Sequence, residues 1–424
     1  MERETILREV YLEKIRGFID SEFIKVITGL RRSGKSEFLK MIRNEVAQKV
    51  DSGHIVYINF ESAEFDNLLN YKALNDFFND VIKDDKKYYI FLDEIQDVKE
   101  WERSVNSLRL RNTDIYITGS NSKIMSDELA TKLGGRTVSF KIYPLSFREF
   151  IDFRIKNGLS GGKDLDGELE AYIRLGGFPV LSVAKFGLED ARKIVEDINS
   201  TALIRDVVQR YEIRRPQLLE KIVAFIYDNV GSLVSITSIV NYLKKEKRSG
   251  DPETIANYMK YLEDAHIVSR AQRYDIQGKK LLETLDKYYL GDHSLQYAVR
   301  SFKQDKISGI LENIVYVELL RRGYKVYVGK TNAAKISGDK GNDGKAGVDK
   351  EIDFVAEKEG VGKVYVQVCK EFSAQETYDR EFSPLVAIKD SYPKYVVTTD
   401  KFWQADENGV KGIHLKDFLL KQEL

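Results

Sequence analysis

Residues 29–36 read Gly-Leu-Arg-Arg-Ser-Gly-Lys-Ser, and this octapeptide lies between a predicted strand and a predicted helix. The apolar run Phe23–Thr28 before it predicts a short strand, and the segment from Glu37 onward predicts an amphipathic helix. The spacing G-x-x-x-x-G-K-[ST] at such a turn is typical of a loop whose amides surround nucleotide phosphates. It therefore predicts an α/β fold with a parallel sheet and a nucleotide site at the edge of that sheet.

The positions of this loop are predicted to contribute in different ways. Gly29 and Gly34 permit the backbone torsions and the close approach that a phosphate cradle needs. Lys35 is expected to reach the β- and γ-phosphates of the nucleotide, and Ser36 to supply a hydroxyl ligand to Mg²⁺. Arg31 and Arg32 are expected to touch phosphate or pack locally, without a catalytic role. The predicted nucleotide-binding residues are Gly29, Leu30, Arg31, Arg32, Ser33, Gly34, Lys35 and Ser36.

A second element of the same kind of site is the run Tyr-Ile-Phe-Leu-Asp-Glu at residues 89–94. Its apolar residues predict a buried strand, and the two carboxylates follow at the carboxyl end, where an open α/β sheet binds its ligand. Asp93 is predicted to hold Mg²⁺ through its water shell, together with Ser36. Glu94 is predicted to polarise the attacking water, with Lys35 on the phosphates. Without a phosphate loop upstream, a simple strand-end turn would be the ordinary interpretation.

Two further catalytic candidates lie beyond this strand. Ser120 and Asn121 end the next predicted strand, and either could contact the γ-phosphate or the attacking water; the alternative is a polar strand end that caps the following helix. Arg136 follows two glycines, and an arginine supplied by a neighbouring subunit can neutralise transition-state charge. Its alternative is an ordinary solvated or ion-paired arginine. Asn121 and Arg136 are therefore candidates, and Arg136 would imply a homo-oligomer.

Composition bounds the class of protein. The chain has 424 residues, enough for about two to four domains. Its 67 Lys and Arg balance 67 Asp and Glu, so net charge gives no argument for a nucleic-acid or membrane partner. Cys369 is the single cysteine, which excludes an internal disulfide. The charged N-terminus and the lack of a long apolar run lead us to expect a cytoplasmic protein with no membrane partner.

The pattern along the chain predicts four domains. Residues 1–145 alternate strands and helices, and residues 146–211 are helical. Residues 212–295 show helices followed by a hairpin, Ile267–Tyr274 with Lys280–Tyr289, which predicts a winged helix-turn-helix with Thr254–Leu262 as its recognition helix. Residues 296–424 predict a second α/β unit, with a flexible Gly-rich loop near residue 340.

The combination VITGLRRSGKS, FLDEIQDVKEWE, ITGSNSKI, LGGR and YPLSFREF resembles the AAA+-type P-loop ATPases that carry a DUF4143 domain at the C-terminus. The resemblance implies an ATPase domain, a helical lid, a winged helix and a nuclease-like tail, in that order. It also implies a strand inserted between the first strand and the strand that bears Asp93 and Glu94, and ATP rather than GTP as the nucleotide. It implies no known substrate.

The last domain resembles the restriction-endonuclease-like PD-(D/E)xK fold, but its pattern is incomplete. Glu312 and Asp353 match the first two acidic positions. Gln367 then replaces the third acid, and Cys369 stands where the lysine belongs. Lys370 is displaced by one residue and should point to the opposite face of the strand. We therefore expect a degenerate nuclease-like domain, and a buried, unreactive Cys369.

These observations favour a Mg²⁺-dependent ATPase that drives a conformational change on DNA or on an unknown protein partner. Basic residues support DNA contact through the winged helix, although a protein-interaction module fits equally well; they are Lys244, Lys245, Lys247, Arg248, Lys279 and Lys280. A non-catalytic, nucleotide-gated scaffold is one alternative. An ATPase coupled to a metal-dependent nuclease is another.

Overall fold

The structure, a computed structural model, describes residues 6–122, 133, 135–248, 250–283, 285–299, 307–332, 349–372, 375–400 and 406–423. The chain forms two compact units. The first contains the described residues up to Pro144, together with Ile204–Val207 and Asp264–His266. The second contains Leu145–Leu203, Val208–Glu263 and the described residues from Ile267 onward.

A parallel sheet of five strands forms the centre of the first unit, in the order β2-β3-β4-β1-β5. Its strands are β1 Ile24–Thr28, β2 Ile55–Asn59, β3 Tyr88–Asp93, β4 Thr113–Gly119 and β5 Thr137–Lys141. The helices are α1 Glu9–Arg16, α2 Lys35–Val46, α3 Tyr71–Val81 and α4 Trp101–Arg109. Short 3₁₀ turns occupy Ser52–His54, Ala63–Leu68 and Ile95–Asp97. Strand β4 lies between β1 and β3, as the family resemblance implied.

Burial on both faces explains why these strands read as continuous apolar runs. Every residue of β1 and β3 is buried. One core contains Phe38 and Ile42 of α2, and a second core contains residues of α3 and α4, among them Leu74 and Val105. Because the strands are parallel, the carboxyl ends of β1, β3 and β4 meet at one edge, where the phosphate loop begins.

The second unit begins with helices and a small antiparallel sheet. The helices are α5 Phe147–Lys156, α6 Leu165–Leu175, α7 Leu188–Thr201, α8 Pro216–Asp228, α9 Ile236–Lys245 and α10 Pro252–Asp264, with a 3₁₀ turn at Pro179–Ser182 and a π-helical stretch at Ala202–Gln209. The strands are β6 Leu233–Val234, β7 Val268–Ala271 and β10 Asp286–Leu290, in the order β6-β10-β7.

The largest sheet has eight strands in the order β15-β16-β14-β13-β12-β11-β8-β9. Its strands are β8 Arg273–Asp275, β9 Lys280–Leu281, β11 Lys325–Asn332, β12 Asp349–Lys358, β13 Gly362–Cys369, β14 Lys394–Thr398, β15 Asp406–Glu407 and β16 Val410–His414. The accompanying helices are α11 Leu295–Val299, α12 Ile307–Arg321, α13 Gln375–Val386 and α14 Leu415–Leu420. The sequence did not predict the last three strands.

The predicted hairpin differs from the observed one. Each of its strands is split. Only the halves away from the turn, β7 and β10, belong to the small sheet. The halves next to the turn, β8 and β9, pair with each other, and β8 also pairs with β11. On the second strand the break falls beside Leu285, whose φ of 64° is incompatible with an extended chain. The prediction of one uninterrupted strand over Lys280–Tyr289 was therefore wrong.

The sequence predicts five strands in the first 145 residues, at Phe23–Thr28, His54–Phe60, Tyr88–Asp93, Ile115–Ser120 and Thr137–Ile142. All five are confirmed to within two residues at each end. The predicted Gly-rich loop lies for the most part in residues 333–348, outside the described residues. Among the helices that the structure describes, none is both long enough and apolar enough to cross a membrane.

Candidate active site

The phosphate loop begins with a close backbone approach that only glycine permits. Gly29 has a φ of 147°, and a Cβ atom there would lie 2.1 Å from the carbonyl oxygen of Ile142. Gly34 has a φ of 99° and precedes Lys35, the first residue of α2. The chain therefore turns from β1 into α2 at the carboxyl edge of the sheet. The N–H groups of the first helical turn have no acceptor within the helix and suit an anion.

The remaining loop residues are held at different depths. Leu30 and Ser33 are buried, whereas Arg32 is exposed and has a φ of 64°. The guanidinium group of Arg8 donates a hydrogen bond to the carbonyl oxygen of Ser33, at 3.1 Å. Arg8 is itself buried, so its hydrogen bond holds the loop from the protein interior. Sequence reasoning gave Arg8 no role.

Lys35 extends from α2 back across the loop. Its ammonium group donates a hydrogen bond to the carbonyl oxygen of Leu30, at 3.3 Å. It also lies 3.7 Å from the carboxylate of Glu94. Both side chains are more than nine-tenths buried. The structure thus brings the predicted phosphate-binding cation and the predicted catalytic carboxylate together.

Asp93 is held by hydroxyl groups from three other elements. One carboxylate oxygen accepts hydrogen bonds from Ser36 at 3.1 Å and from Thr118 at 2.5 Å, and the other accepts one from Tyr57 at 3.1 Å. Burial raises the pKa of Asp93, and the carboxylate of Glu94 also raises it, while these hydrogen bonds act in the opposite direction. Tyr57 lies in the middle of β2 and Thr118 near the end of β4, the strands on either side of β3. Their types carry no motif that could have revealed them.

Glu94 follows Asp93 in a left-handed conformation, with a φ of 55°. Its backbone N–H donates to the hydroxyl of Thr118 at 2.8 Å, and its carboxylate accepts a hydrogen bond from Gln96. Thr118 therefore contacts both members of the Asp-Glu pair and fixes the turn between them. This turn keeps the Glu94 carboxylate beside Lys35 instead of letting it continue along the strand.

The residues present fit a magnesium–nucleotide complex. The oxygens of Ser36 and Asp93 lie 3.1 Å apart, and Mg²⁺ prefers hydroxyl, carboxylate and water oxygens. The glycine cradle leaves room for phosphate where a side chain would clash. The chemistry of this edge is therefore that of a phosphate site with an adjoining hard-cation site.

Ser120 and Asn121 contact a residue from a distant part of the sequence. The Ser120 hydroxyl donates to a carboxylate oxygen of Asp206 at 2.6 Å, and the Asn121 amide lies 3.5 Å from the Asp206 carbonyl oxygen. Asp206 belongs to the same compact unit and also lies 3.5 Å from Arg31. No signal in the sequence could have identified Asp206, because it lies in a helical stretch far from every motif.

Arg136 lies at the other edge of the sheet in its own chain. It immediately precedes β5, which runs parallel to β1, so it is at the amino ends of the strands. Its side chain is 53% exposed and lies 3.3 Å from Glu22. Arg136 could therefore act only on the site of a neighbouring subunit, and that role stays a prediction.

A second cluster of charged residues lies in the second unit. The ammonium group of Lys287, on β10, lies 3.2 Å from Glu312, 2.8 Å from Glu351 and 3.2 Å from Asp353. The Tyr289 hydroxyl also donates to Glu312, at 3.0 Å. Burial raises the pKa of Glu312 to about 8, and the nearby Asp353 carboxylate adds to this rise. The two acids predicted from the sequence thus meet around a lysine that sequence reasoning missed.

The strand that breaks the nuclease pattern lies beside this cluster. Gln367 accepts a hydrogen bond from the backbone N–H of Asp353 at 3.1 Å and donates one to Glu381 at 2.8 Å. Cys369 is buried, and burial raises the pKa of its thiol to about 12. Lys370 is exposed. Among the described residues, no group of His, Cys, Asp and Glu is arranged to hold a metal ion.

Comparison with known proteins gives matches along most of the chain. Residues 21–151 match an AAA domain family, and residues 166–306 match a domain of unknown function, DUF8612. An uncharacterized protein of Haemophilus influenzae is 37% identical over 424 residues, which cover 99% of this chain and 100% of the relative. An uncharacterized protein of Methanocaldococcus jannaschii is 31% identical over 381 residues, which cover 87% of this chain and 79% of the relative.

The chain belongs to the same family as these two proteins. Its first unit contains the AAA domain, a nucleotide-binding P-loop ATPase fold, and this agrees with the parallel sheet and the phosphate loop. Among solved structures, a Walker-type ATPase of Pyrococcus abyssi is 16% identical, with a TM-score of 0.45 over 70% of this chain and 96% of that one. The ORC1 protein of Aeropyrum pernix, solved in complex with DNA, is 13% identical, with a TM-score of 0.37 over 70% and 93%.

Proposed function

We propose that this protein hydrolyses ATP with Mg²⁺ at the edge of the first unit. The observation that carries the proposal is the joint placement of three groups. Lys35 lies beside Glu94, and Ser36 is hydrogen-bonded to Asp93. A phosphate-binding cation, a metal-binding oxygen pair and a candidate general base therefore share one buried site.

Each residue has a distinct role in the proposed reaction. The amides of the loop and Lys35 would bind the phosphates, and Ser36 and Asp93 would hold Mg²⁺. The bound metal would neutralise phosphate charge. Glu94 would orient a water molecule and accept its proton as the water attacks the γ-phosphate, which yields ADP and phosphate. On nucleotide binding, Lys35 would exchange its present contacts with Leu30 and Glu94 for phosphate oxygens.

Replacing Lys35 with alanine tests the proposal. We expect wild-type protein to hydrolyse ATP, and Lys35→Ala to lose both nucleotide affinity and turnover, because alanine removes the ammonium group that would bind the phosphates. Turnover by phosphate release and binding of a fluorescent ATP analogue should be measured together. Lys389, an exposed lysine of the second unit, provides the matched Lys389→Ala control. Native hydrolysis by Lys35→Ala would contradict the assignment.

Hydrolysis is proposed to drive a conformational change on a partner, and DNA is the partner that the charges favour. Helices α8, α9 and α10 with the small β6-β10-β7 sheet have the order of a winged helix, with α10 in the recognition position. Exposed basic residues lie in the last turn of α9, in the α9–α10 loop and around the β8–β9 turn; they are Lys244, Lys245, Lys247, Arg248, Lys279 and Lys280. Such residues would contact phosphate and not base edges.

Charge reversal in the last turn of α9 tests this partner. Lys244→Glu with Lys245→Glu should weaken binding to duplex DNA. The slope of log affinity against log salt concentration should become shallower by the equivalent of about one to two phosphate contacts. The measurement is fluorescence anisotropy with a labelled duplex at several salt concentrations, alongside a Lys72→Glu with Lys389→Glu control. Unchanged DNA affinity, or no DNA binding by wild-type protein, would favour a protein partner.

The last domain is proposed to be nuclease-like in fold and inert in chemistry. The reason is that the ammonium group of Lys287 lies among the carboxylates of Glu312, Glu351 and Asp353, where a nuclease would place its metal. The DUF4143 relationship, the lid and the domain boundaries remain predictions. It also remains a prediction that the protein forms an oligomer in which Arg136 completes the site of a neighbouring subunit.

A further inference from the structure

Arg31 lies within the phosphate loop, but its guanidinium group is held between two carboxylates. It lies 2.5 Å from Glu61 and 3.5 Å from Asp206, and its side chain is only 11% exposed. Burial lowers the pKa of Arg31, yet the carboxylates of Asp206, Glu61 and Glu94 raise it, and the net change is a rise. A permanently charged group is therefore held close to the candidate general base.

Asp206 is the less expected of the two carboxylates. It lies on the π-helical stretch Ala202–Gln209, and it is almost fully buried. Residues Ile204–Val207 belong to the first compact unit, whereas the residues on both sides of them belong to the second. Single π-helical turns occur frequently at functional sites. Here the turn brings a carboxylate to the end of β4, where Ser120 donates a hydrogen bond to it at 2.6 Å.

We propose that Arg31 stabilises the negative charge that develops on the γ-phosphate, and that Asp206 positions the Arg31 guanidinium group for this role. The inference rests on the proposed ATPase function and deepens it. It supplies from the same chain a cation of the kind that the sequence assigned to Arg136 of a neighbour. An arginine suits this role because its planar fork can donate two parallel hydrogen bonds to phosphate oxygens.

This role differs from the one expected for Arg31 from the sequence, which was local packing or simple phosphate contact. The difference lies in Asp206 and Ser120, which connect the guanidinium group to the strand end next to Asp93 and Glu94. Asp206 would not touch the nucleotide in this scheme. It would act as a positioning residue, through Arg31.

Steady-state ATP turnover by four proteins tests the proposal: wild type, Arg31→Ala, Arg31→Lys and Asp206→Asn. Arg31→Ala should lower kcat at least about 100-fold, since arginines of this kind contribute roughly 10³–10⁵. Arg31→Lys should recover only part of the rate. Asp206→Asn should lower kcat about ten-fold through misplacement of the guanidinium group. Arg192→Ala, which removes an exposed arginine paired with Glu196, should match wild type.

A second measurement separates transition-state stabilisation from a structural role. Binding of fluorescent ADP is measured with and without aluminium fluoride, which mimics the transferring phosphate. Wild-type protein should bind ADP more tightly with aluminium fluoride. Arg31→Ala should keep its affinity for ADP alone and lose this gain, and Asp206→Asn should lose part of it. A thermal unfolding curve for each variant shows that it is folded.

The outcomes separate this inference from the function beneath it. If the wild type hydrolyses ATP and Arg31→Ala has the same kcat, the proposed ATPase function stands but Arg31 has no part in the mechanism. Loss of ADP affinity alone, with the aluminium fluoride gain retained, would assign Arg31 to binding and overturn the proposal. If Asp206→Asn has the kcat and the aluminium fluoride gain of the wild type, Asp206 does not position Arg31. Absence of turnover in wild type would overturn the proposed function, and this inference with it.

Discussion

Glu94→Gln should leave nucleotide binding nearly unchanged while it lowers ATP turnover by about 10²–10⁴-fold, the usual contribution of a general base. Glutamine has the shape of glutamate and can still contact Gln96, and the backbone N–H that donates to Thr118 is untouched. Its neutral amide cannot accept a proton from water. The measurements are turnover by phosphate release and affinity for a fluorescent ATP analogue.

This variant also separates an enzyme from a nucleotide-gated scaffold. A scaffold would bind ATP without turnover, so wild type and Glu94→Gln would then behave alike. Glu196→Gln, a substitution of an exposed glutamate on α7, is the matched control and should turn over ATP at the wild-type rate. Equal turnover by wild type and Glu94→Gln, with clear hydrolysis in both, would remove Glu94 from the role of base.

The local parts of this site could be predicted from the sequence because each is a short segment with a fixed geometry. The phosphate loop lies between one strand and one helix, and Asp93 and Glu94 end the neighbouring buried strand. Parallel strands place their carboxyl ends at one edge, so proximity of the two motifs followed from topology. The apolar runs of the buried strands in the first unit were equally informative, since strands that are buried on both faces consist mostly of apolar residues.

The residues that sequence reasoning missed are those brought in by long-range packing. Tyr57 and Thr118 contact Asp93 from two different strands, and Asp206 reaches Arg31 from a helical stretch. A single tyrosine or threonine within a strand carries no pattern of its own. The same limit explains Lys287, because the strand that bears it was predicted as part of a wing and not as a neighbour of Glu312.

Lys287→Met should destabilise the second unit by about 3–5 kcal/mol above pH 8, the range for removing one partner of a buried ion pair. The Lys287 side chain is 3% exposed, and its ammonium group faces three carboxylates. Methionine has a similar volume but leaves Glu312 and Asp353 buried without a cation. The measurement is chemical unfolding followed by circular dichroism, with exposed Lys389→Met as the control.

The destabilisation should shrink as the pH falls. In the wild type the pKa of Glu312 is raised to about 8 from an ordinary value of 4.5, so folding already favours its protonated form. Stability from this group is complete below the ordinary pKa and is lost as the pH rises through about 8. Without the ammonium group the raised pKa should rise further. The difference between Lys287→Met and wild type should therefore be smaller near pH 5 than above pH 8.

A compensating change completes the argument. Glu312→Gln in the Lys287→Met background removes one uncompensated charge and keeps an acceptor for the Tyr289 hydroxyl, which now donates to Glu312 at 3.0 Å. The double variant should regain much of the lost stability above pH 8, with a flatter pH profile. A Lys287→Met protein as stable as wild type above pH 8 would mean that the carboxylates do not depend on this lysine. The case for an inert, lysine-filled nuclease-like site would then fail.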